Sequence, residues 1–271
     1  MNMKIKQQFI IAILSLTMLS SCQKVIDIEL NDADRQIVIE GSIYEGGDSA
    51  MVKITKTTSF FTVDPPEPVA NAIVQLTMPD NNVFILNHEG QGLYKISGLN
   101  IINDADYKLK VTIGNDEYTA VSHMMPSIAL DSLEYEFQEP IFGQPEGYNV
   151  FMIYQDQIGK NYYRLLSSVN GTPQRDAEDL LVVDDNLNDG NLIRIPIFTR
   201  LFEPGDTVEA ELQSLDAELY EFYQTLGSVA SEDAGSPFSA APANPEGNIS
   251  GGALGVWGAY TSSKRTIILP E

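Results

Sequence analysis

The stretch DDNLNDG, Asp184 to Gly190, gathers more oxygen ligands than any other part of the chain. Asp184, Asn186 and Asn188 stand at positions one, three and five of a calcium-loop spacing, which lets alternate side chains converge on one cation. Position six is Asp189, where such loops place a glycine, and the twelfth residue is Ile195, where they place a bidentate glutamate. A turn between the strand-like LLVVD and NLIRIPIF accounts for the same residues and is the favoured reading. As a metal site the trio is a weak candidate.

Other reactive types are sparse. There are two histidines, His88 in NHEGQG and His123 in SHMMP, and no G-x-S-x-G elbow or H-E-x-x-H pair accompanies them. Glu134 and Glu136 share a strand face, as a glycosidase pair could, but with 38 acidic residues such spacing arises by chance. The sequence therefore names no catalytic residue and no cofactor. Tyr162, Tyr163, Trp257 and Tyr260 are candidate ligand-stacking aromatics, with core packing the favoured alternative. Tyr162 and Tyr163 are neighbours, so on a strand they face opposite ways. Gly251-Gly252-Ala253-Leu254-Gly255 lacks the strand–turn–helix context of a dinucleotide fingerprint.

The single cysteine, Cys22, has a different chemistry. It follows Lys4 and Lys6, an apolar run from Phe9 to Leu19, and the small pair Ser20-Ser21. That order is a secretory signal over residues 1–21, too short to span a bilayer, which needs about 20 apolar residues. Leu19-Ser20-Ser21-Cys22 resembles a lipobox, at which cleavage exposes a cysteine that carries diacylglycerol. Several acyl chains give stable anchoring at about 0.8 kcal/mol per buried methylene. The expected address is a membrane of the cell envelope, with the periplasmic or surface face left open. After cleavage no second thiol is present for a disulfide, a redox pair or a thiolate metal site.

Without Lys4 and Lys6 the chain keeps 14 basic and 38 acidic residues, a net charge of −24. Such a surface repels phosphate backbones, which argues against nucleic acid as a partner. About 250 residues suffice for one large or two small cores.

The elements that must position these residues read as strands. Residues 22–35 form a tether. About seven short β-branched segments run from Gln36 to Ser122, from QIVIEGSIY through DEYTAVS, with EGGD, PDNN and Gly114-Asn115 as turns. DPPEP is expected to be a loop. This predicts a small antiparallel sandwich over 36–122, and VANAIVQLTM…GQGLYKISGL…DADYKLKVTIGNDEYTA resembles Ig-like and prealbumin-like modules. A joint at 123–131 leads to a second β-rich domain over 132–271, with segments such as NVFMIYQD, NYYRLLSSV and DTVEAELQS. One amphipathic helix is expected near 215–227, capped by Ser214 or Asp216 and stopped by Gly227. Leu215, Leu219, Phe222 and Leu226 form its apolar face. Ser231 to Gly247 reads as a long loop, and the glycine-rich tail as one or two closing strands. The fold class is thus mainly β.

Taken together, CQKVIDIEL…RQIVIEGSI, PVANAIVQL…GLYKI, NYYRL, FEPGDTVEAEL, LYEFYQTL and above all NPEGNISGGALGVWGAY resemble one family. It is the Bacteroidetes outer-membrane lipoproteins of domain-of-unknown-function family 4249. That resemblance implies an envelope location and, as partner, a TonB-dependent transporter β-barrel; it carries over no catalytic residue. In that setting Asp48-Ser49-Ala50, Asp131-Ser132-Leu133 and Asp206-Thr207-Val208 resemble O-glycosylation tripeptides, which makes Ser49, Ser132 and Thr207 candidates. Loop-to-strand transitions account for them equally well. The leading expectation is a non-enzymatic accessory or ligand-binding subunit beside such a transporter. The alternative is a stand-alone module that grips glycan, peptide or matrix.

Overall fold

Alternation of apolar and polar residues sets the first layer. In β1 (Ile37–Tyr44), Ile39 and Ile43 are fully buried while Glu40 and Tyr44 face out. In β2 (Ser49–Lys56), Ala50, Val52 and Ile54 turn inward. The two strands pair antiparallel through the expected turn, and β2 goes on to pair with β7 (Leu93–Ser97). The opposing sheet runs β5-β4-β8-β9, with β4 Ala72–Thr77, β5 Val83–Ile85, β8 Ala105–Ile113 and β9 Asp116–Met124. Its inward residues include Val74, Leu76, Tyr107, Leu109 and Val111, which close the first core against the first layer.

The computed structural model describes residues 35–58, 65–140, 145–176, 179–197, 201–231 and 244–271. Cys22, the expected signal segment and all but the last residue of the expected tether lie outside them. Arg35 to Glu271 cluster as one compact unit.

A second core follows. One wall is a three-stranded sheet of β10 (Leu130–Gln138), β11 (Gly147–Gln155) and β15 (Leu192–Pro196). The other wall holds β12 (Tyr162–Val169), β14 (Leu181–Asp184) and β16 (Thr207–Leu215). Tyr148, Val150, Met152, Tyr163, Leu165, Val208 and Leu212 pack between them.

The strand that joins the cores is β17 (Leu254–Ile268), a single closing strand of 15 residues. Leu254 to Tyr260 pair in parallel with β1, and Thr261 to Ile268 pair antiparallel with β16. One ten-stranded sheet therefore runs through both halves. Trp257 and Ala259 enter the first core, while Leu269, just past the strand, enters the second. Two glycines make the β1–β17 pair possible. A Cβ on Gly41 would sit 2.9 Å from both Trp257 and Val52. Gly255 has φ +100°, and a Cβ there would meet the Ile39 carbonyl oxygen at 2.1 Å.

Several expectations need correction. Nine strands, not seven, lie between Ile37 and Met124. Glu67–Pro68 is a short strand, β3, on the edge of β2, where a proline's missing N–H costs no ladder bond. His88 lies in edge strand β6 (Asn87–Gly90) rather than in a turn. The helix, α1, spans Ala217–Ser231 and passes through Gly227, which keeps a right-handed backbone and so cannot act as a left-handed cap. LLVVD and NLIRIPIF do not pair with each other; β14 bonds β12 and β15 bonds β11, so the turn between them crosses from one sheet to the other.

Candidate functional site

Asp216 begins the helix. Its Oδ1 accepts the Leu219 N–H at 2.8 Å, the cap expected of an aspartate at this position. Its Oδ2 accepts the Ser122 hydroxyl and the His123 N–H, so the end of β9 and the start of α1 share one buried carboxylate. Burial raises the pKa of that carboxyl, and the three hydrogen bonds work against the rise. Ser122 in turn accepts the Ala259 N–H of β17 at 2.8 Å.

From this fixed start α1 lies over the outer face of the large sheet. Leu219, Tyr220 and Phe222 bury against Leu215 and Val256. Tyr162 stacks on Tyr220 with ring centroids 4.6 Å apart, and the Lys160 ammonium lies 5.2 Å from the Tyr162 ring centroid. Tyr260 stacks on Tyr44 at 5.8 Å, and burial pushes its pKa up to about 12. The Arg164 guanidinium lies 3.8 Å from the Tyr223 ring centroid. Beside the helix opens a groove of about 550 Å³. Phe222 and Leu226 form one wall, Val38, Met51 and Leu254 belong to the floor, and Lys53 supplies a charge. Its size is typical of small-ligand and peptide sites.

Of the four aromatics singled out by sequence, two reach this face and two do not. Trp257 is fully buried in the first core and donates its indole N–H to the Tyr107 carbonyl at 2.9 Å. Tyr163 is buried in the second core, edge-on to Tyr154. Tyr162 and Tyr260 are half-buried and already stacked on protein rings.

A second cluster lies at one end of the second core. Asp156 follows β11, and Asp185 and Asp189 follow β14; one oxygen of each lies within 4.8 Å of the others. Asp156 and Asp185 are 3% and 4% exposed. Asp184 and Asn186 instead hydrogen-bond each other, and the Asn188 N–H is spent on the Asp185 carbonyl. Asp185 and Asp189 sit one residue out of the register read from the sequence, and nothing local marks Asp156 as their partner. A cavity of about 140 Å³ adjoins them, lined by Tyr154, Tyr163 and Asn188 among others.

The remaining candidates are placed as follows. Ser49 and Thr207 open β2 and β16, and Ser132 is exposed on β10. Glu134 and Glu136 are both held by Arg194, at 2.9 and 2.6 Å. His88 packs on Tyr94, and His123 lies between Asp104 and Asp106. None of these groups forms a nucleophile–base pair in the distances found.

Residues 23–266 match the model of a family described as domain of unknown function (DUF4249). No curated protein matches the chain. Among solved structures, a two-domain fibronectin type III segment from chicken tenascin aligns at 12% identity. The alignment covers 68% of this chain and 93% of that one, with a TM-score of 0.22.

Proposed function

The chain belongs to the DUF4249 family, and from that premise we propose that it is a non-enzymatic, lipid-anchored binding subunit of the cell envelope. It is held at the outer membrane through Cys22 and serves as an accessory to a TonB-dependent transporter β-barrel. The observation that carries the reading is the groove of about 550 Å³ between α1 and the outer face of the large sheet. An apolar floor with a few charges at its margin suits an extended peptide or a protein loop, which buries apolar side chains and pairs its polar ends. The half-buried tyrosines are committed to Tyr220 and Tyr44, so they offer no free ring for a sugar, and this favours a protein partner over a glycan. The acylated amino terminus confines the module to the membrane that holds the barrel, which raises its effective concentration there.

Affinity capture of the acylated protein from detergent-solubilised envelopes tests the proposal. A β-barrel transporter recovered with wild type, and lost when Met51 in the groove floor is replaced by Arg, is the expected result. Repeated recovery of the protein alone would leave only the stand-alone module. Retention of the unacylated Cys22→Ala variant in the membrane fraction would remove the anchor from the account.

A further inference from the structure

The acidic cluster at the end of the second core is built from two loops. Residues 156–161 join β11 to β12, and residues 185–191 join β14 to β15. Backbone donors hold the carboxylates in place. Gly190 N–H reaches Asp156 Oδ2 at 2.8 Å, Asn161 N–H reaches Asp185 Oδ2 at 2.9 Å, and Gly159 N–H reaches Asp189 Oδ1 at 2.8 Å. The Tyr163 hydroxyl donates to Asp156 Oδ1. These bonds fix the oxygens but do not neutralise them. The three carboxylates, two of them buried, thus converge as a set of oxygens. Lys160, whose charge Asp185 stabilises, is exposed and engaged with Tyr162.

A separate feature points to a guest. Tyr154 is 2% exposed and lines the cavity beside Asp156 and Asp185. Both acids lie close enough to act on its phenol electrostatically. Unlike Tyr163, its hydroxyl has no hydrogen-bond partner among the described residues. Buried hydroxyls are nearly always paired, through protein or ordered water. The cavity of about 140 Å³ beside these carboxylates has room for an ion that retains water.

The geometry points to a divalent-cation site, suited to Ca²⁺, formed by Asp156, Asp185 and Asp189, with Tyr154 directed at water on the ion. The 4.8 Å limit on ligand-atom separations is twice a Ca²⁺–oxygen distance of about 2.4 Å, so one ion can touch all three. The donors are all hard oxygens, which selects against zinc and copper. The irregular arrangement suits Ca²⁺ better than Mg²⁺, which demands a near-ideal octahedron. The ion ties the loop after β11 to the loop after β14, and so clamps the two walls of the second core at one end. Tyr163 is a positioning residue that aims Asp156.

The test uses the purified full chain, stripped with EDTA and titrated with CaCl₂, MgCl₂ and TbCl₃. One Ca²⁺ should bind by calorimetry and raise the thermal midpoint. Tb³⁺ should give tyrosine-sensitised emission that Ca²⁺ displaces. Asp156→Asn and Asp185→Asn should abolish the emission, and Tyr163→Phe should weaken Ca²⁺ about 10- to 100-fold. Asp48→Asn, an exposed acid elsewhere, should change nothing. If the buried variants misfold, the exposed Asp189→Asn decides: it should keep the native tryptophan emission and lose at least about tenfold in affinity. Absence of saturable emission and of any thermal shift up to about 5 mM Ca²⁺ overturns the site. So does unchanged binding by Asp189→Asn.

Discussion

Replacing Asp216 by alanine probes the point where α1, β9 and β17 meet. The substitution removes the helix cap, which contributes about 1 kcal/mol. It also strands two donors, the part-buried His123 N–H and the buried Ser122 hydroxyl. An unsatisfied buried donor costs about 1–3 kcal/mol, but the serine hydroxyl can rotate toward another acceptor, so the low end applies to it. Against these losses stands the relief of no longer burying a carboxylate whose pKa burial has raised. The balance is a loss of about 3 kcal/mol. Urea unfolding followed by tryptophan emission and far-ultraviolet dichroism measures it. Ser122→Ala should cost about 1–2 kcal/mol, and the double variant should fall short of the sum because both remove one shared bond. A loss below about 1 kcal/mol for Asp216→Ala, or strict additivity with Ser122→Ala, would refute the view that this carboxylate joins three elements.

Trp257 is the chain's single tryptophan and is fully buried; truncation to Ala should cost about 3–5 kcal/mol, and in wild type its emission should redden in the same denaturant range that abolishes the β signal, since β17 serves both cores. Acid should act in opposite directions at two carboxyls. Glu211 sits below its usual range: burial raises its pKa, but bonds from Gln213, Ser262 and Lys264 outweigh that, so its stabilisation is present above the ordinary glutamate value and is lost as pH falls through the lowered one. Asp216 sits above its usual range, so its contribution declines as pH rises from 3.8 through the raised value; Asp216→Asn should therefore steepen the loss of stability on acidification, read from urea midpoints between about pH 3 and 6. Met51→Arg, at a position 40% exposed in the groove floor, should leave the unfolding free energy within about 1 kcal/mol of wild type while removing partner capture, and a collapse in stability would show the groove to be core.

Much of the strand pattern was legible because each strand buries one face, so QIVIEGSIY and AMVKITKT carry their own orientation. The cap at Asp216 was legible too, since capping is local. What depended on distant packing was not. Glu67–Pro68 joins an edge that only the folded β2 provides. Gly227 stays helical although its residue type favours a stop. No short window tells that Trp257 lies over Gly41, or that Leu254 and Val38 are parallel partners. Asp156 lacks any local signature of its place beside Asp185, and the calcium-loop register drew attention to Asp184, whose side chain is closed on Asn186.

The divided allegiance of β17 has a consequence for biogenesis. A chain made from its amino end delivers β1 long before the strand that must lie beside it. Until then the edge of β1 is open, and the cavity destined for the indole of Trp257 has no filler. Neither half can reach its final state as a vectorial intermediate, so a premature stop or proteolytic nick ahead of Leu254 would deprive two cores at once rather than trim one end. Keeping such an unfinished edge from pairing with other chains is a task for holdase chaperones.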